Sequence, residues 1–517
     1  MKKMVVLLSL TIYTSVLMAQ TKNNNIALQV KIKDGMLEGV SASGIKIFKG
    51  IPFAQPPVGD LRWREPQPVK PWSGIRKADK FGLRAMQLPL FSDMNFRSDG
   101  VSEDCLYLNV WTPSKKAGDA LPVLVYFYGG GLMAGDGSEY RYDGESMARR
   151  GIVTVTVNYR LSVFGFFSHP ELTRESPHKA SGNYGFLDQA TALKWVQENI
   201  SAFGGDPKRI TIAGESAGSY SVSAQMASPL SRDIIAGAIG ESGSLLGKSM
   251  PALAEAEQQG KQFADSLGVK TLAELRKLPA EQVLKATKKL RFGGGVIVDG
   301  YFFPKSPIDI YLSKQQSKVP LLVGWNSEES NWQGILGKEE PTKVNFTKAV
   351  QQLYGAKAGE VLKLYNPATD EEVKTVATDL ASDRFIGFGT WRWSDMHATT
   401  GAGKVYRYYY ERPRPATREN PDAPAAAGAV HSAEIEYAMG NLGTNRVFDW
   451  QPEDFLVSEI LQSYFEHFIK TGNPNGLGVP EWNAVVPGKP AEVMHINVDT
   501  KLQTEKYRDR YLMMEKL

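Results

Sequence analysis

Short runs of β-branched and aromatic residues alternate with helix-spaced segments along most of this 517-residue chain, and no other feature constrains its fold as tightly. Leu106–Trp111, Pro122–Tyr128, Ile152–Asn158, Arg209–Ala213, Ile234–Ile239, Val319–Trp325 and Val405–Tyr410 read as strands, with Val493–Val498 as a terminal one. Most are apolar at nearly every position, which suits strands covered on both faces rather than a sheet with one wet side. Between them, Tyr184–Phe203 sets Leu187, Ala190, Leu193, Trp195 and Val196 on a helical stripe. Ala217–Ala227 is helical too, and Asp454–Lys470 carries Leu456, Ile460, Leu461, Tyr464 and Phe468 on one side. Such alternation predicts an α/β fold, a large and mostly parallel central sheet flanked by helices.

Two strand-free stretches, near residues 247–295 and 335–400, read as helical cap insertions in that sheet. Ile26–Phe53 alternates between glycine turns and predicts a small N-terminal antiparallel sheet. No repeat or long linker divides the chain, so residues 20–517 are expected to form a single domain. Residues 1–19 read as a signal peptide: Lys2 and Lys3 precede a mostly apolar run to Met18, and the small Ala19 closes it. Export to the periplasm or the extracellular medium is expected, without a stable membrane anchor. A formal charge of +4, half of it from Lys2 and Lys3, gives no electrostatic case for a nucleic-acid partner. Cys105 is the only cysteine, so the fold must be held by its core and not by an intrachain disulfide.

Gly214-Glu-Ser-Ala-Gly218 matches G-x-S-x-G. The pattern gains meaning from its flanks, a strand running in (Ile210–Ala213) and a helix running out. A serine at such a turn stands exposed, and small neighbours let the backbone bend and a substrate approach. A hydroxyl nucleophile also needs a base and donors for a developing oxyanion. Tyr128-Gly-Gly-Gly131, at the end of an apolar strand, can turn several amides to one spot, and the Ala217 amide directly follows the serine.

Chain order in this kind of site is serine, acid, histidine, leaving His397, His431, His467 and His495 as bases. His397 and His467 sit among aromatic residues of helical segments and His495 in a strand. His431 lies in a small-residue loop after the Val405–Tyr410 strand, where open α/β sheets place their ligands. For the acid, Asn326-Ser-Glu-Glu329 follows a strand in the required interval, and spacing does not choose between Glu328 and Glu329. Asp299 and Asp383 lack a clean preceding strand.

These motifs together resemble the carboxylesterase type B, or cholinesterase-like, family of the α/β-hydrolases, in its bacterial para-nitrobenzyl-esterase-like branch. Ser102-Glu-Asp-Cys-Leu-Tyr-Leu-Asn-Val-Trp111 looks like one family signature, and Phe203-Gly-Gly-Asp-Pro207 with Ile212–Ser219 looks like the other. Gly324-Trp-Asn-Ser-Glu-Glu329 and His431-Ser-Ala-Glu-Ile-Glu-Tyr437 follow in family order, and the resemblance spans about residues 28–515. It implies an α/β-hydrolase fold and a Ser216–Glu329–His431 triad, with the amides of Gly130, Gly131 and Ala217 as oxyanion hole. It also implies internal ion pairs Arg62–Glu103 and Arg160–Asp188. No metal or organic cofactor is implied.

Three departures from the family pattern are visible. Ala85 stands where many members have the partner of Cys105, Ser330 replaces a glycine after the acid, and Asn95 occupies the position of a choline-binding Trp. Without that aromatic face, recognition of a quaternary ammonium loses its main element. The expected activity is a secreted serine carboxylesterase on small-molecule or glycan-linked esters, working through an acyl-enzyme. Feruloyl or acetyl esters of glycans are the alternative substrates. A non-catalytic adhesion or binding protein of the same fold is the alternative from another class.

Overall fold

The computed structural model describes residues 28–290, 294–422 and 426–517; the segment read as a signal peptide lies outside them. Eleven strands form the central sheet: β1 (Val40–Ala42), β2 (Ile45–Pro52), β3 (Tyr107–Thr112), β4 (Leu121–Phe127), β5 (Val153–Val157) and β6 (Gly205–Glu215). The rest are β7 (Gly237–Glu241), β8 (Leu321–Asn326), β9 (Val405–Tyr410), β10 (Glu492–Ile496) and β11 (Lys501–Thr504). Their spatial order is β11-β10-β9-β8-β7-β6-β4-β5-β3-β2-β1. The block from β10 across to β5 is parallel throughout, and the outer strands at both edges pair antiparallel. The expected α/β-hydrolase architecture is therefore present.

Helices Tyr184–Asn199, Ala217–Ala227 and Pro452–Thr471 cover this sheet, and β5, β7 and β8 are buried along their whole length, as is β6 from Ile210 onward. The N-terminal region divides differently from the expectation. Gln29–Ile32 and Gly35–Glu38 make an antiparallel hairpin joined by Ile75–Lys77 in parallel, while β1 and β2 extend the large sheet through β3. In Pro452–Thr471 the inner face is Val457, Leu461, Tyr464, Phe465 and Phe468; Leu456, expected there, is 48% exposed. The two insertions also differ. Helices Leu253–Ser266, Leu272–Lys277 and Ala280–Leu290 add Phe263, Leu275 and Val283 to the main core. The second insertion has a core of its own, around Phe346, Val350, Val361, Tyr365 and Leu380, closed by Met513 and Met514 of the C-terminal helix. Among the described residues, no helix is long and apolar enough to cross a membrane.

The strand order dictates where a site can form. The chain runs from β4 outward to β5 and then crosses to β6 on β4's other side. At such a reversal the connections leave in opposite directions and open a crevice outside the carboxyl ends of the two strands. Phe127 and Gly214, at those two ends, lie in register.

Candidate active site

Ser216 follows β6 at the crevice, in a left-handed conformation (φ 55°, ψ −119°) that few non-glycine residues adopt. The turn is held by hydrogen bonds from the Ser216 amide to the Glu241 carbonyl (2.8 Å) and from the Tyr220 amide to the Ser216 carbonyl (2.9 Å). Its glycines answer to close packing. A Cβ on Gly214 would lie 2.6 Å from both the Phe127 carbonyl oxygen and the Gly218 carbonyl carbon, and one on Gly218 would overlap the same Phe127 oxygen. The elbow is thus pressed against the end of β4.

The glycine run continues from that strand. A Cβ on Gly129 would come within 3.2 Å of Ser216 Cβ, so the run passes directly beside the serine. Gly130 and Gly131 have φ of 105° and 65°, and the Gly130 carbonyl accepts from the amides of Met133 and Ala134 at 3.0 Å. Ala217 begins the helix, where the first amides have no intrahelical acceptor.

The acid and the imidazole come from the two strands beyond β7. Glu329 lies just past β8 and His431 in the loop after β9, and the two segments are stitched together. Glu328 donates its amide to the Ala429 carbonyl (2.8 Å), the Ala429 amide donates to Ser327 Oγ (2.8 Å), and Asn326 Nδ2 donates to the Val430 carbonyl (2.9 Å). Glu329, only 3% exposed, accepts from the Asn326 amide (2.6 Å) and Ser242 Oγ (2.5 Å) through Oε1. Its Oε2 lies 2.5 Å from His431 Nδ1, and His431 Nε2 lies 2.9 Å from Ser216 Oγ. The imidazole retains 26% side-chain exposure, so its outer face meets solvent.

Three more carboxylates surround this chain of contacts, and the sequence reading did not single them out. Glu215 Oε1 lies 3.2 Å from His431 Nε2. Glu434 accepts from Asn326 Nδ2 (2.5 Å) and Ser242 Oγ (3.2 Å), and Glu241 accepts from the Tyr126 hydroxyl (3.1 Å). All three are buried. Burial works to lower the His431 pKa, but Glu215, then Glu329, outweigh it and push it up to about 10. Burial in turn pushes Glu215 up to about 8, against the pull of His431. Glu434 rises to about 7, first through burial and then through Glu329. Glu215 and His431 therefore titrate as an interacting pair, each partner's charge favouring ionisation of the other. Glu215 and Glu434 both sit inside motifs already noted, as the second residue of G-x-S-x-G and the fourth of His431–Tyr437.

The remaining candidates lie elsewhere. His397 Nε2 meets the Val319 carbonyl (2.8 Å), His467 Nδ1 the Pro474 carbonyl (3.2 Å), and His495 Nδ1 pairs with Glu411 (3.1 Å). Asp299 accepts the amides of Tyr301 and Phe303, and Asp383 accepts from the hydroxyls of Tyr365 and Tyr511. Arg62 grips Glu103 at 2.5 Å through both carboxylate oxygens, and Arg160 grips Asp188 at 2.7–2.8 Å. Cys105 is free and buried, and burial first of all pushes its thiol pKa well up. It and Ala85 line a void of about 10 Å³. Among the described residues, no group of three or more His, Cys, Asp or Glu could hold a metal ion.

The carboxylesterase family profile matches residues 26–513. The chain is 34% identical to the fumonisin B1 esterase of Sphingopyxis macrogoltabida over 421 residues, covering 80% of this chain and 75% of that protein. It is also 34% identical to pyrethroid hydrolase Ces2e of Rattus norvegicus over 474 residues, covering 86% and 81%. A solved structure of PNB esterase superimposes with a TM-score of 0.80 at 29% identity, covering 94% of this chain and 99% of that one. With a fold that matches over 94% of its length and a family profile that spans residues 26–513, this chain belongs to the carboxylesterase family.

Proposed function

We propose that this carboxylic-ester hydrolase is an exported serine carboxylesterase that cleaves small-molecule esters through an acyl-enzyme. The observation that carries the mechanism is the position of His431, 2.9 Å from Ser216 Oγ on one side and 2.5 Å from Glu329 on the other. With Nδ1–H donated to Glu329, Nε2 is the acceptor that takes the Ser216 proton as Oγ attacks the ester carbonyl. Glu329 fixes the tautomer and stabilises the imidazolium that results. The amides of Gly130, Gly131 and Ala217 stabilise the tetrahedral oxyanion, and His431 then protonates the leaving alcohol. Water repeats the sequence on the acyl-serine, giving the acid and free Ser216. The basic and apolar N-terminal run is the basis for export. The names of two relatives, a fumonisin B1 esterase and a pyrethroid hydrolase, support small-molecule esters as the substrate class.

Replacement of Ser216 by Ala should lower turnover of aryl and alkyl acetates by about 10⁴-fold or more while the circular dichroism spectrum stays that of the wild type. A feruloyl–sugar ester in the same panel separates glycan-linked substrates from free ones. Wild-type turnover by Ser216→Ala would remove the proposed nucleophile.

A further inference from the structure

Beside the imidazole stands a side chain that the catalytic steps do not use. The ring of Phe385 meets the His431 ring edge-to-face, with centroids 5.2 Å apart and planes at 72°. Phe385 is nevertheless 44% exposed, a large apolar surface left uncovered at the mouth of the site. A ring used only to pack the imidazole would be expected to be buried.

The backbone that presents it is unusual. Helices Val373–Ser382 and Phe388–Thr399 are joined by a π-turn, Asp383–Gly387, in which the Phe388 amide donates to the Asp383 carbonyl. A π-turn inserts one residue into an α-helix and swings the following face round by about 100°. Here both ends of the turn are pinned. Asp383 accepts from the Tyr365 (2.6 Å) and Tyr511 (3.0 Å) hydroxyls, and Ile386 is buried with Trp325, Trp391 and Tyr511. Arg384 and Phe385 alone project outward from it. The anchored turn holds Phe385 over the imidazole without covering its outer face.

We infer that Phe385 is a specificity-determining residue for the alcohol side of the ester, and that it selects leaving groups with an apolar or aromatic substituent. This rests on the Ser216–Glu329–His431 reading given above. His431 Nε2 protonates the departing oxygen, so the alcohol carbon lies over the imidazole, whereas the acyl chain extends from the carbonyl carbon bound to Ser216. Val430, next to His431 in the chain, and Met133, two residues past Gly131, are further apolar side chains left 40% exposed. A benzyl or aryl group can pack against the free face of Phe385; a methyl or ethyl group is too short to use it.

The test compares benzyl acetate with ethyl acetate, and benzyl acetate with benzyl butyrate, on wild type, Phe385→Ala and Phe385→Tyr. Because each readout is a ratio of kcat/KM values within one preparation, a partly unfolded variant does not disturb it. Phe385→Ala should lower the benzyl-to-ethyl ratio by about tenfold, the scale of a lost aromatic contact and its burial. Phe385→Tyr should restore the ratio, and the acetate-to-butyrate ratio should stay at the wild-type value in both. An unchanged benzyl-to-ethyl ratio would overturn the inference, as would a change that follows acyl length. Ser216→Ala, run beside them, reports on the triad alone: full activity there would refute the nucleophile whatever the ratios show.

Discussion

Gly214→Ala probes the physical basis of the elbow, because local propensity and tertiary packing predict opposite signs. Gly214 is the next-to-last residue of β6, and glycine inside a strand costs roughly 0.5–1 kcal/mol relative to alanine, so propensity alone forecasts a more stable protein. The packing forecasts the reverse. The new Cβ would sit 2.6 Å from the Phe127 oxygen and 2.6 Å from the Gly218 carbonyl carbon, both backbone atoms. Ordinary van der Waals contact begins at 3.4 Å, so β4 and the start of the Ala217–Ala227 helix must each give by up to 0.8 Å. Retreat from one wall drives the methyl into the other. Overpacking of this kind costs about 1–3 kcal/mol. The larger effect falls on catalysis: a displacement near 1 Å of the nucleophile relative to its oxyanion donors costs about 10²-fold in kcat. Burst titration of active sites with an activated ester, alongside kcat and the urea midpoint, measures both. A Gly214→Ala enzyme with a higher midpoint and wild-type kcat would refute the steric argument for the motif.

Two other expectations concern protons. Glu215 is the largest charge raising the His431 pKa, so Glu215→Gln should lower that pKa and move the acid limb of the kcat/KM–pH profile to lower pH; a limb that stays put or moves up would disprove this coupling. His397, buried against the Val319 carbonyl, has its pKa lowered to about 4, chiefly by burial, from an ordinary 6.5. The unfolded chain then binds the extra proton, so this contribution is complete above pH 6.5 and is lost as pH falls towards 4, by about 3 kcal/mol in all. Urea unfolding of wild type and His397→Gln at pH 7 and 5 should show a smaller acid-induced loss in the variant, and equal losses would contradict the assignment.

Much of this fold and site could be read from the sequence, for identifiable reasons. The helix Ala217–Ala227 and the strand Val405–Tyr410 fall where periodicity sets them, because their patterns are long and their ends are marked. The strand expected at Ile234–Ile239 instead occupies Gly237–Glu241. Its end carries Gly240 and Glu241, poor strand formers, yet Trp393 fills the space above Gly240 and Glu241 is buried beneath Tyr126. The placement of β1 and β2 depends on β3, some sixty residues later, which no local pattern reveals. Glu215, Glu241 and Glu434 escaped because carboxylates are ordinarily expected at the surface; only the assembled site shows why they are buried. Glu328 and Glu329 are inseparable by spacing, and the structure parts them because it is the Glu329 carboxylate that lies 2.5 Å from His431 Nδ1. The π-turn at Asp383–Gly387 adds a single residue to a helical pattern, too small a change to detect in periodicity.

Intact-protein and peptide mass spectrometry after exposure to a fluorophosphonate or a slowly turned-over ester measures the central claim most directly. One adduct per chain is expected, on the peptide containing Ser216, absent from Ser216→Ala and strongly slowed in His431→Ala. An adduct on another residue, or full hydrolysis by a Ser216→Ala enzyme, would contradict the mechanism.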